Sequence, residues 1–172
     1  LLPAAAWGEK DGTVTNSERR ISRQRAFLRL AGEAKPDWWI VARCAQRMGY
    51  AHGFQYESAH EVFIEHAALS GAANDDERAF NISGLASLTR AEYDALAPVQ
   101  WPVLSRHDGG VPRLLANHRF YHPDRRARFV PTSPHAPANR LDDEFSLVLN
   151  TGRIRDQWHT MTRSGKAPRL TR

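Results

Sequence analysis

The sequence predicts an α/β chain, on three observations. Capping residues mark three helix starts at Asp37, Ser58 and Thr89, short apolar or alternating runs read as strands, and glycine and proline punctuate the joints between them. The chain opens on Leu1-Leu2-Pro3-Ala4-Ala5-Ala6, an apolar run read as a strand. Trp7 to Arg20 is polar and broken by Gly8 and Gly12, so it reads as an ordered loop. Two alternatives stay open there: Thr15 to Glu18 fits a helix-start capping box, and the alternation from Val14 onward fits extended chain. Arg19 to Arg29 then carries five arginines and no acid.

A helix is expected from Asp37, whose carboxylate would cap Trp38-Trp39-Ile40-Val41, to Met48, where Gly49 stops it. Ser58 and Glu61 open a second helix that ends near Ser70-Gly71. Residues 72–88 read as loop around the acidic Asp75-Asp76-Glu77. Thr89 with Glu92 opens a short third helix that must end before Pro98. Pro98, Pro102 and Pro112, with Gly109-Gly110, make the next stretch irregular. Asn117 to Tyr121 and Arg126 to Val130 read as short strands joined across Pro123-Asp124 in a hairpin. Pro131 to Ala138 holds three prolines and is the expected domain boundary, dividing the chain into 1–138 and 139–172. The second part begins with Asp142-Asp143-Glu144, then Leu147-Val148-Leu149 as a buried strand that breaks at Asn150-Thr151-Gly152.

Composition narrows the functional classes. At 41% hydrophobic and 25% charged the chain is globular, and no apolar run is long enough to span a bilayer. The single Cys44 rules out an internal disulfide framework and any metal site built from several of its own thiolates. Its place in a helical pattern reads as a buried structural thiol. His60-Glu61 and Glu65-His66 suggest zinc, but histidines six apart on a helix point to different faces, so surface or capping roles are the expectation. His118 and His122 flank the expected hairpin, and Trp38-Trp39 reads as core and helix anchor. No glycine-rich phosphate loop is present and no Ser/His/Asp set stands out. No catalytic residue and no metal ligand is assigned.

Charge points to the end of the chain. The net charge is +5, and residues 151 to 172 hold six basic residues and one acid, which leaves 18 of each sign elsewhere. A basic terminal run fits a solvated tail or a nucleic-acid arm. The interleaving with Thr151, Gly152, Trp158 and His159 points instead to a ligand site, where Arg153, Arg155, Arg163 and His159 supply donors suited to phosphate and to a polar heterocycle. The expected ligand is anionic.

Two separated motifs carry a resemblance. Leu2-Pro3-Ala4-Ala5-Ala6-Trp7-Gly8-Glu9-Lys10-Asp11-Gly12-Thr13 with Asn16-Ser17-Glu18-Arg19-Arg20, and Asn150-Thr151-Gly152-Arg153 with Trp158-His159-Thr160, resemble the prokaryotic molybdopterin oxidoreductase family. Within it the likeness is greatest to assimilatory nitrate reductase large subunits, and it covers essentially the whole chain. It implies a fragment: the end of a central α/β domain, followed by the first strand and loop of a C-terminal cofactor-binding β-barrel domain. The lack of an initial Met and the stop after the ligand-like segment fit a chain cut through two elements.

The implied chemistry is reduction of nitrate to nitrite by oxygen-atom transfer, in nitrate assimilation, at a molybdenum held by two molybdopterin guanine dinucleotides. An iron-sulfur cluster, of the 4Fe-4S kind, would supply the electrons. The resemblance assigns Asn150, Thr151, Gly152, Arg153, Trp158, His159 and Thr160 to dinucleotide binding. It leaves Glu9, Lys10, Asn16, Glu18 and Arg19 with two readings, a cationic approach that favours an anion such as nitrate, or a structural ion-pair network that pins the loop. Cluster and molybdenum ligands would lie upstream, so the chain alone is expected to be inactive and unable to keep the metal. The implied setting is cytoplasmic, without membrane or nucleic acid, and with ferredoxin, flavodoxin or an NADH-linked subunit as electron donor. Arg125 departs from the family, whose members tend to have Gly there, which makes the tight turn less comfortable. Formate dehydrogenases of the same family share a similar Glu-Lys-x-Gly-Thr and Asn-x-Glu-Arg-Arg loop. A small basic nucleic-acid-binding protein is the alternative of another class.

Overall fold

A computed structural model describes residues 2–150, 152, 157 and 159–170. They fall into two compact units, Leu1–Arg128 and Phe129–Arg172. The first is mixed α/β with one three-stranded antiparallel sheet. Strand β1 (Gly12–Thr15) and strand β2 (Arg20–Gln24) form a hairpin, with Thr15 opposite Ile21 and Gly12 opposite Gln24. Strand β3 (Val99–Gln100) joins the free side of β2 and sets Val99 against Ile21.

The polar stretch expected to be an ordered loop is therefore a 3-10 turn, Trp7–Glu9, leading into the hairpin. Of the alternatives, the extended one forms and the helix start at Thr15 does not. Asn16 shapes the tip: its side-chain oxygen accepts from the amides of Glu18 and Arg20, both at 3.0 Å, and Arg19 follows with φ of 65°. Pairing with β3, distant in sequence, is what short-range patterning could not supply.

Helix α1 (Asp37–Arg47) begins one residue earlier than expected. Pro36 occupies the cap position and makes no side-chain cap bond, so Asp37 sits inside the first turn, where the helix dipole favours an acid. Gly49, at φ of 97°, closes the helix as expected. Helix α2 (Ala59–Gly71) starts at Ser58, whose hydroxyl accepts from the Glu61 amide. The Glu61 carboxylate accepts from the Glu57 amide at 2.7 Å, one residue beyond the Ser58 amide that a reciprocal box would use. Helix α3 (Arg90–Asp94) closes the full box: Thr89 accepts from the Glu92 amide, and Glu92 accepts from the Thr89 amide at 2.8 Å.

The core gathers Ile21 and Val99 from the sheet, Phe63 and Ala67 from α2, Tyr93 from α3, and Ile82, Leu85, Leu88 and Val103 from the connections. Much of it comes from residues 72–88, expected to be loop, where a 3-10 turn (Ser83–Leu85) buries Ile82 and Leu85. Polar stitching makes that burial possible. Ser70 accepts from the Ile82 amide at 2.8 Å, and buried Asn74 donates to the carbonyls of Ser70 at 3.1 Å and Phe80 at 3.2 Å.

Other expectations are corrected. The opening apolar run makes one bridge, Ala4 with Lys35, rather than a strand. Cys44 is exposed, because Ala42 is the residue α1 buries. The expected strands at 117–121 and 126–130 do not form; only their turn does, with the Arg125 amide donating to His122 at 2.8 Å and Phe120 to Arg125 at 3.0 Å. Arg125 takes φ of 57°, the uncommon conformation anticipated for a non-glycine there, and its guanidinium is held by Asp76. In the second unit Leu147, Val148 and Leu149 are exposed and unpaired, where a buried strand was expected. A strand needs a neighbour, and none of the described residues of that unit supplies one. No helix of the described residues is long and apolar enough to cross a membrane.

Candidate functional site

The loop and hairpin of the first unit bring most of the N-terminal motif together. Glu9 folds back to accept from the Ala6 amide at 2.8 Å, closing the 3-10 turn. Lys10 reaches α1 and pairs with Asp37 at 2.8 Å. Asn16 is spent on the hairpin tip, and the Glu18 carbonyl accepts from the Gln100 amide side chain at 3.0 Å. Arg19 donates to the carbonyls of Trp101, Val111 and Pro112, the last two at 3.0 Å, with its guanidinium 5.3 Å from the centre of the Trp101 ring. Glu9, Lys10, Asn16 and Arg19 thus hold the loop in shape, chiefly through carbonyls and amides rather than the ion pairs the pinning reading had in view.

Arg23 is the residue that sequence reading missed. It counted only as one of five arginines, yet its side chain is 2% exposed. Its guanidinium donates to Asp11 at 2.8 Å, Asp94 at 3.0 Å, the Tyr93 carbonyl at 3.0 Å, the Gln24 carbonyl at 2.9 Å and the Gly12 carbonyl. It also lies 4.0 Å from the centre of the Tyr93 ring. Burial works to lower its pKa, but the hydrogen bond to Asp11 and the surrounding negative charge outweigh that and raise it, so Arg23 stays ionised. A signal was available: Ile21 and Arg23 are two apart on a strand and share a face, so a core-facing Ile21 puts Arg23 inward too.

Beside this cluster lies a cavity of about 190 Å³ lined by Asp11, Thr13, Trp38, Phe63, His66 and Tyr93 among others. Tyr93 is fully buried, its hydroxyl has no protein partner, and burial raises its pKa above 10.0. Of the histidines expected at the surface or in caps, His66 is exposed as expected and His60 is half-buried. His60 bonds the Leu88 carbonyl at 2.7 Å and lies against Tyr93, and His66 lies against Phe80. Trp38 and Trp39 are half-buried on α1, and Trp39 is flanked by Lys35 and Arg43 rather than sunk in the core. No cluster of three or more His, Cys, Asp or Glu among the described residues is arranged to hold a metal.

In the second unit Asn150 and Gly152 are exposed, and nothing occupies the space where a Cβ on Gly152 would project. A 3-10 turn spans His159–Met161, with Thr160 at φ of 51° and its hydroxyl 2.7 Å from that of Thr162. Thr151, Arg153, Arg155 and Trp158 lie outside the described residues, as does the side chain of His159.

Residues 1–47, which hold the 3-10 turn, the hairpin, Arg19, Arg23 and α1, match the molybdopterin oxidoreductase family model. The chain belongs to the molybdopterin oxidoreductase family. Among curated members of that family, it is 56% identical over 169 residues to a nitrate reductase of Klebsiella oxytoca, covering 98% of this chain and 19% of the relative. A nitrate reductase of Shewanella frigidimarina is 46% identical over 170 residues, covering 96% and 18%. The alpha subunit of an F420-dependent formate dehydrogenase 2 of Methanococcus maripaludis is 36% identical over 171 residues, covering 99% and 23%. The chain spans about a fifth of the length of the curated relatives it matches.

Proposed function

We propose that this chain is part of a molybdenum-dependent nitrate reductase, which reduces nitrate to nitrite by oxygen-atom transfer. The observation that supports it best is identity of 56% and 46% to two nitrate reductases against 36% to a formate dehydrogenase subunit, over nearly the same residues. In this reading, residues 1–138 end the central α/β domain and 139–172 begin the β-barrel domain that binds the dinucleotide.

The donor set suits such a group. Asn150, Gly152 and Thr160 are exposed and offer an amide, a backbone without a Cβ and a hydroxyl, and the sequence adds Thr151, Arg153, Trp158 and His159. Charge-assisted bonds of this kind to a pyrophosphate are worth about 1.5–3 kcal/mol each when desolvated. Two molybdopterin guanine dinucleotides with their molybdenum supply the redox chemistry, and the protein binds and orients them. In the first unit, Glu9, Lys10, Asn16, Glu18 and Arg19 shape the approach to that centre. Arg19, whose guanidinium meets neutral carbonyls, carries the positive charge that draws an anion, while that of Lys10 is offset by Asp37.

With one cysteine in 172 residues, the chain does not supply the thiolate set of an iron-sulfur cluster, which would come from the rest of the polypeptide. The experiment is Arg153→Ala and His159→Ala in the full-length enzyme, with molybdenum content measured beside nitrate reduction. Activity and bound molybdenum should fall together. Lost activity at full metal content would move both residues from cofactor binding to substrate or electron transfer. Formate oxidation in place of nitrate reduction by the unaltered enzyme would favour the other substrate.

A further inference from the structure

We propose that Arg23 is a positioning residue for the molybdenum centre: it fixes the Glu9–Thr13 loop against α3, so that the loop meets cofactor or substrate in one geometry. The proposal rests on the reading of that loop as cofactor-proximal.

Arg23 is saturated. A guanidinium has five N–H donors in a rigid fork, and five acceptors surround this one. The acceptors divide by origin. Asp11 belongs to the loop and the Gly12 carbonyl to the start of β1, the Gln24 carbonyl ends β2 itself, and the Tyr93 carbonyl and Asp94 belong to α3, with the Tyr93 ring backing the guanidinium at 4.0 Å. A single side chain thus bolts the loop to an element some seventy residues further along the chain. The neighbouring residue, Lys10, ties the same loop to α1 through Asp37. Adjacent loop residues, Lys10 and Asp11, are thus tied to α1 and, through Arg23, to α3, which leaves this part of the loop little freedom.

Stability alone is a weak reason for such an arrangement. A buried ion cluster is often no more stabilising than apolar packing of the same volume, whereas it does dictate geometry. Lysine cannot substitute, since one ammonium with three donors cannot satisfy acceptors fanned around a planar fork.

The test uses the full-length enzyme with Arg23→Lys, Asp11→Asn and Lys10→Ala. Hydrogen exchange at the amides of residues 9–13 should accelerate in Arg23→Lys and Asp11→Asn. At matched molybdenum content both should show an altered electron paramagnetic resonance signature of the metal and a loss of kcat/KM of about tenfold or more. A role in stability alone would lower the unfolding midpoint and leave the signature and the activity per molybdenum untouched. Should Arg23→Lys fail to fold, Asp11→Asn gives the same readouts from a residue that is partly exposed. Unchanged exchange at 9–13 in Asp11→Asn and Arg23→Lys overturns the proposal. So does a wild-type signature and activity in both while Lys10→Ala alters them, an outcome that leaves the loop near the cofactor and dismisses Arg23. Wild-type behaviour in all three variants overturns the reading of the loop itself and the proposal with it.

Discussion

Arg19 and Trp101 hold each other twice: the Trp101 amide donates to the Arg19 carbonyl at 3.2 Å, and the Arg19 guanidinium donates back to the Trp101 carbonyl while lying 5.3 Å from its ring centre. The same guanidinium reaches Val111 and Pro112. Arg19→Lys keeps the charge and loses the fork, so chemical denaturation of the chain should register a loss of about 1–3 kcal/mol. Full retention of the midpoint would mean that charge alone suffices.

Helix α3 depends on its reciprocal cap. Thr89→Ala removes the hydroxyl that accepts from the Glu92 amide, and unfolding should lose about 1 kcal/mol, within the range for capping threonines. An unchanged midpoint would show that tertiary packing of Tyr93 holds the helix by itself.

The same helix gives stability an acid limb. The Thr89 amide, chiefly, holds the Glu92 carboxyl below its ordinary value of 4.5, and the hydrogen bond from Arg90, chiefly, holds Asp94 below 3.8. A depressed carboxyl binds its proton less readily folded than unfolded, so its contribution is complete at neutral pH and is lost as pH falls from the ordinary value through the folded one. Denaturant midpoints measured from pH 7 downward should decline below about pH 4.5, and Glu92→Gln should flatten part of the decline. Equal slopes in the two proteins would assign the limb to other groups.

Gly84 lies where two backbones meet. A Cβ there would stand 2.6 Å from the Ser105 nitrogen and 2.7 Å from the Leu104 carbonyl carbon, both main-chain atoms. Gly84→Ala must move the chain that follows β3, and should destabilise by about 1–3 kcal/mol on thermal unfolding. A neutral result would show that this connection yields freely.

Cys44 stands on the open side of α1. Maleimide should label it in the folded chain without denaturant, and Cys44→Ser should change stability by no more than about 0.5 kcal/mol. Labelling that requires unfolding would restore the buried thiol that the helical pattern suggested.

Most local signals in the sequence were sound where the chemistry was short-range, although the cap expected at Asp37 fell one residue earlier, at Pro36. Ser58 and Thr89 start their helices because a hydroxyl and an amide three residues away need no other part of the chain, and Gly49 ends one because only its own φ is involved. The family motif in the first 47 residues was equally legible, since it resides in the order of residues. Tertiary structure decided what depends on distant partners. The pairing of β2 with Val99–Gln100 turned an expected loop into a sheet, the turn around Ser83–Leu85 turned another into core, and Asp11 and Asp94 made a buried hub of an arginine that the sequence showed only as one of five in a cationic run. The absence of any such neighbour among the described residues of the second unit left Leu147 to Leu149 unpaired. Caps and turns are closed by atoms a few residues apart, whereas a strand, a core face or a buried charge exists only once the opposite side has arrived.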